Sequence, residues 1–264
     1  DSESSASNTG GSDSACDDAF AWSLGAIRKF NSARLYSSLG RFYRFPAIDE
    51  IANTYPEPSF NPDLKTETGY EIEVGFDKAF ARTKVGFSAF YRELDNEVVL
   101  DKTIGYFGTN VNLDETLRYG LELYVDYEAH ESLDLMLDYT LVNAEIDYGA
   151  NDGETIPLVP SHQLNLGFDW HPIDSWTFIA NVRYFSAYHA GGDFSNIAQE
   201  LDGRVVVDLS ARYQLSETSE LFACIDNLTD KDYVSTAVSD GMGTVDAFYP
   251  ASGRSMKAGI RWRF

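Results

Sequence analysis

Between residues 19 and 264 the chain is organised by alternation, apolar and polar residues exchanging places at every second position. In the segment 117–128, Leu117, Tyr119, Leu121, Leu123, Val125 and Tyr127 fall on one side, with Arg118, Glu122, Asp126 and Glu128 on the other. A helix would scatter those charges around its circumference, so period two predicts a strand with one apolar face. The same alternation recurs at Tyr70–Phe76, Phe87–Tyr91, Leu133–Leu141, Leu164–Trp170, Trp176–Tyr184 and Val205–Tyr213, with weaker runs at 20–27, 35–41 and 221–226. With the closing segment 255–264, about eleven strands are expected. Short polar turns are predicted at 29–32, 81–84, 129–132, 172–175 and 216–219, each joining two strands as a hairpin. Long links, at 45–68, 96–115, 147–161, 188–202 and 229–253, separate the hairpins.

Short turns at one end and long loops at the other describe an antiparallel transmembrane β-barrel of the bacterial outer membrane. A soluble sandwich or lipocalin-like barrel also alternates. Three features weigh against it: a heavily charged polar face, long loops at one end only, and aromatics gathered at strand ends such as Tyr127, Trp170, Trp176 and Trp262. No apolar run reaches the length of a membrane-spanning helix, a criterion to which barrel strands are invisible. Residues 1–18 (DSESSASNTGGSDSACDD) have almost nothing to bury and are expected to form a flexible external loop. Residues 19–264 are expected to be barrel wall.

Composition narrows the partners. A formal charge of −22, from 42 acidic and 20 basic residues, opposes the approach of nucleic acid at every distance. The 2 cysteines, Cys16 and Cys224, lie too far apart in sequence for spacing to indicate a disulfide.

Catalytic signals are missing from the reading. The chain has no nucleophile elbow, phosphate loop or paired Cys/His metal motif, and no enzyme or resident cofactor is expected. Lumen-facing carboxylates such as Glu71, Glu73, Glu122, Asp126, Asp134, Asp138 and Asp208 find Arg92, Arg118, Arg183, Arg212 and Arg261 on the same face, so ion pairing is expected of them. The acidic loop 147–154 (DYGANDGE) offers oxygens suited to Ca²⁺ but matches no full EF-hand loop. Recognition of a small molecule belongs in the long loops, where aromatics have no obvious core to fill: Tyr106, Phe107, Tyr148, Tyr188, Phe194, Phe248 and Tyr249, with His189 a possible contact. For each of these, ordinary loop packing is the competing explanation.

The carboxyl end, SELFACIDNLTDKDY at 219–233 followed by YPASGRSMKAGIRWRF at 249–264, resembles the end of TonB-dependent receptors. GRFYRFPAIDEI at 40–51, NPDLKTETGYEIEVG at 61–75, RYGLEL at 118–123 and IPLVPSHQLNL at 156–166 resemble the same family in the same order. The resemblance implies half of a 22-stranded barrel, with the N-terminal plug domain and the remaining strands supplied from elsewhere in the polypeptide or by a partner. It further implies import of a ferric siderophore or other metal chelate, with cobalamin, haem or another cofactor as alternatives, and energy from the TonB–ExbB–ExbD complex acting through the plug. Trp262 and the terminal Phe264 look like the signal read by the barrel-assembly machinery. Rival classes are a porin-like channel, a surface adhesin and a barrel hydrolase. A folded plug or energy-dependent uptake would dismiss the first, and binding without solute transport would single out the second. The absence of a Ser/His pair at a strand end speaks against the third.

Overall fold

The computed structural model describes residues 2–8, 11–53, 59–61, 63–104 and 108–264. Its strands are β1 (Ser2–Asn8), β2 (Gly11–Asp17), β3 (Trp22–Lys29), β4 (Ala33–Arg44), β5 (Ala52–Asn53), β6 (Ser59–Phe60), β7 (Glu67–Ala79), β8 (Thr83–Asp101) and β9 (Thr109–His130). They continue with β10 (Leu133–Tyr148), β11 (His162–Ile173), β12 (Trp176–Phe185), β13 (Arg204–Ser216), β14 (Ser219–Asp226), β15 (Val234–Ser239), β16 (Val245–Pro250) and β17 (Ser255–Trp262). One short helix, α1 (Ile48–Ile51), interrupts the series.

Eleven strands form one antiparallel sheet in the order β17-β14-β13-β12-β11-β10-β9-β8-β7-β4-β3, and each of the eleven runs read from alternation is one of its strands. Register explains why the alternation matters. Phe76, Phe87, Leu123, Tyr139, Leu164, Tyr184 and Val205 stand directly opposite one another across seven strands, forming one apolar row on one face. These side chains are not packed into a centre: Phe76, Phe87, Leu123, Tyr184 and Val205 are all exposed. So large a continuous apolar surface is stable only against hydrocarbon.

The opposite face is wet and paired, as a lumen wall should be. Arg92 bonds Glu71 at 2.6 Å, Arg183 bonds Asp208 at 2.6 Å and Arg261 bonds Glu220 at 2.7 Å. Arg118 turns to Glu97 at 2.7 Å rather than to Glu122, which accepts from Ser88 instead. Glycines on this face carry aromatic rings from the strand alongside: Phe42 lies over Gly69, Tyr36 over Gly75, Tyr124 over Gly86, Phe90 over Gly120 and Phe222 over Gly259. Each ring shields a backbone that has no side chain of its own. A Cβ at Gly120 would meet the Phe90 ring at 2.8 Å and the carbonyl of Leu141, which is fixed in the sheet. Gly120→Val is therefore expected to cost about 1–3 kcal/mol as overpacking, read as a lower urea midpoint of the assembled barrel.

Five tight turns and the carboxyl terminus share one end of the sheet, since Ser219 pairs with Trp262 beside the turn that joins β13 to β14. The other end carries everything else. A strand needs about 9–11 residues to cross the hydrocarbon, yet β8 has 19 and β9 has 22. Because β8 starts and β9 ends at the short-turn end, the surplus projects as a ribbon from the loop end. The expected long link at 96–115 is thereby corrected, for pairing continues from Glu97↔Leu113 to Asp101↔Thr109. Above the membrane neither face of the ribbon meets hydrocarbon, so Asn96, Glu97, Asn110, Asn112 and Asp114 erase the alternation without ending the ladder.

The opening segment 1–18, expected as a flexible loop, instead carries the hairpin β1–β2 outside the main sheet. Backbone pairing needs no apolar side chains, so a Ser- and Asp-rich composition did not announce it. Cys224, on β14, is a free thiol. Among the described residues β3 and β17 are the two edges of the sheet.

Candidate functional site

The buried apolar clusters lie at the loop end, not in the wall. One small core holds Tyr188, Ala190, Leu201 and Ala237 with Val234 and Val245 against it; a second holds Ala144, Ile146 and Ile156 with Leu113, Val142, Val159 and Phe194. Three loops thus fold into a cap. Asn196 stitches two of them, its amide oxygen accepting from Thr155 N at 2.7 Å and its amide nitrogen donating to Thr155 O at 2.9 Å. The bridge Tyr188↔Leu201 closes the middle loop on itself, and Gly191↔Val238 joins it to the third, which contains the hairpin β15–β16.

Asp193 organises the middle loop. Its side chain is fully buried and accepts from Ile197 N at 3.2 Å and Ala198 N at 3.1 Å, with His189 Nδ1 at 3.3 Å. Where the cap meets the wall, the Arg204 guanidinium sits over Phe185 at 4.6 Å, Tyr233 at 5.2 Å and Tyr188 at 5.6 Å. Three aromatic faces around one cation, with Arg204 also donating to the Tyr188 hydroxyl at 3.1 Å, lock loop to strand.

Next to this lock, above β13 and β14, opens a cavity of about 510 Å³ lined by Glu200, Asp202, Lys231, Asp232, Tyr233 and Phe248 among others. Of the loop residues expected to recognise a ligand, Phe248 is on its wall. His189 stands one step behind, with Nε2 3.6 Å from Glu200 Oε1. Tyr188 and Phe194 are part of the loop cores, where packing accounts for them. Tyr148 and Tyr249 are exposed and lie away from the cavity wall. Tyr106 and Phe107 fall outside the described residues. Sequence reasoning missed Tyr233, Glu200, Asp202 and Asp232 as cavity residues, because loops carry no periodicity to say which side chains converge. Among the described residues no three His, Cys, Asp or Glu side chains are grouped to hold a metal, so the carboxylates of 147–154 stay dispersed.

A fourth loop, within 45–68, is clamped to the projecting ribbon. Asn110 donates to Glu50 O at 3.0 Å, and Asn112 exchanges bonds with Lys65 at 2.9 and 3.1 Å. Arg44 bonds Glu67 at 2.5 and 2.7 Å and Glu50 at 2.8 and 3.0 Å, and Glu67 also accepts from Val98 N. Its hydrogen bonds to Glu67 first, then to Glu50, hold the Arg44 guanidinium further into its charged form. Partial burial works to raise Glu50, but the Arg44 bonds and the Ala47 N–H prevail and hold its carboxyl below the ordinary value of 4.5. A depressed folded-state value means stability that is complete above the ordinary value and lost as pH falls through the folded one. The loop 45–53 is expected to become protease-sensitive below about pH 4.5, and Glu50→Gln to remove most of that dependence.

The comparisons agree with this architecture. The family model "TonB dependent receptor-like, beta-barrel" matches residues 1–228. The Vitamin B12 transporter BtuB of Vibrio vulnificus (strain YJ016) is 25% identical over 248 residues, covering 92% of this chain and 37% of that protein. The iron-regulated outer membrane virulence protein of Vibrio cholerae serotype O1 (strain ATCC 39315) is 25% identical over 210 residues, covering 72% of this chain and 32% of that protein. The crystal structure of the siderophore receptor PiuA from Acinetobacter baumannii superposes with a TM-score of 0.77 at 20% identity, over 98% of this chain and 38% of that one. The chain thus spans about a third of the length of the proteins it matches. Apolar wall, polar lumen, one-sided loops and a match over most of its length lead to one conclusion: the chain belongs to the TonB-dependent receptor family and is a segment of its outer-membrane β-barrel.

Proposed function

We propose that this segment is the ligand-gathering and wall-forming part of an active importer, one that captures a scarce metal chelate outside the cell and passes it through a gated lumen. The carrying observation is the cap: loops that merely avoided membrane would have no reason to build two cores and to set one of them, with an arginine lock, beside a 510 Å³ cavity. A ferric siderophore is the first cargo to test and cobalamin the second, since relatives are named for iron regulation and vitamin B12 transport. The role is transport, not catalysis.

Two further parts follow from the edges and the lumen. Unpaired backbone at β3 and β17 costs several kcal/mol per missing bond in hydrocarbon, so further strands pair there to close the wall. A plug domain within that closed barrel receives energy from TonB–ExbB–ExbD. Trp262 and Phe264, both exposed on the short-turn side, serve recognition by the barrel-assembly machinery. The test is uptake of radio-iron chelates and cobalamin by cells making the complete receptor, with and without functional TonB. TonB-dependent accumulation of one of them is expected. Diffusive, energy-independent entry would make the protein a porin-like channel, and binding with no entry would make it an adhesin.

A further inference from the structure

The cavity has a sign. Its wall carries three carboxylates, Glu200, Asp202 and Asp232, against one ammonium, Lys231. Glu200 has His189 for a neighbour, and no ion pair among the described residues involves Asp202 or Asp232. The surroundings reinforce the imbalance. The opening segment 1–18 and the five long links together hold 24 of the 42 carboxylates and 3 of the 20 basic residues; strands and short turns hold 18 and 17, and nearly balance. Along the sequence almost the entire excess of negative charge thus belongs to the opening segment and the long links, while strands and short turns neutralise their own.

A cleft lined by one sign of charge concentrates ions of the other and repels its own kind. Screening over about 8 Å at physiological ionic strength leaves that preference intact for a ligand seated inside the cavity. Phe248, about half exposed on the same wall, offers an aromatic face that also favours a cation. We infer that the cavity between the 199–203 loop and the β15–β16 hairpin selects a ligand of net positive charge, a cationic metal chelate, and discriminates against polyanionic chelates. The inference rests on the importer reading for the fate of the ligand but not for its charge.

Two ferric probes of opposite charge test it on cells bearing the complete receptor: a trihydroxamate carrying a free ammonium, and a tricatecholate, which is a trianion. The cationic probe is expected to bind at least about tenfold more tightly, with the gap narrowing as salt is raised. Neutralising the wall with Glu200→Gln, Asp202→Asn and Asp232→Asn together is expected to weaken the cationic probe about tenfold. Lys231→Gln is expected to strengthen it, an opposite effect that loss of folding cannot produce. The inference is overturned by a tricatecholate bound as tightly as the cation, by cation binding indifferent to the triple variant, or by no binding of either probe. Cation binding without TonB-dependent uptake leaves the charge selection standing and removes the importer reading. TonB-dependent uptake of the tricatecholate in preference to the cation does the reverse.

Discussion

Leu123→Arg is expected to destabilise the assembled barrel by about 2–4 kcal/mol, the cost of a guanidinium facing lipid near the bilayer midplane. Leu123 stands between Phe87 and Tyr139 in the apolar row, and its side chain is exposed on the face assigned to hydrocarbon. Asp138, one residue before Tyr139, points to the lumen and accepts from Asn165 at 3.2 Å. Asp138→Arg should therefore cost under about 1 kcal/mol, since an exposed polar site can rehydrate whatever it loses. Urea unfolding of the complete barrel in phospholipid vesicles measures both. Equal costs for the two variants would mean that the faces are not lipid and water, and the outer-membrane reading would go with them.

The second large effect is expected at Asp193. Replacing it with alanine leaves the buried N–H of Ala198 and the part-buried N–H of Ile197 without an acceptor and frees His189 from its partner. At about 1–3 kcal/mol for each unsatisfied group, the loss exceeds what a small loop core can absorb. The 188–202 loop should open, the cavity wall formed by Glu200 and Asp202 should disperse, and ligand binding should fall by more than about tenfold. The barrel wall makes none of these bonds, so its unfolding midpoint should not move. Limited proteolysis on intact cells, followed by binding and urea unfolding, separates the two. A variant that keeps a protease-resistant loop would show that the cap is held chiefly by its apolar contacts and by the Arg204 lock.

Strand existence, face and order were readable from the chain alone, because in a membrane wall each residue answers to one of two solvents. Leu121 against Glu122 and Phe87 against Ser88 are decisions made locally, by lipid on one side and water on the other, and they survive in the sequence as period two. The resemblance of the closing segments to TonB-dependent receptors named the same wall independently. At the loop end that logic stops. There Asn110 and Asn112 sit in a strand and bind a neighbouring loop, Tyr188 is core and Tyr148 is not, and nothing in their spacing tells them apart. What decided them is convergence: the 147–161, 188–202 and 229–253 segments meet only once the sheet has brought their roots together, and Asn196, Asp193 and Arg204 have partners only in that arrangement. The sequence by itself therefore determined which residues touch the membrane. The tertiary structure alone decided which residues surround the cavity, because burial in the cap is a property of several loops acting on one another and of no single one.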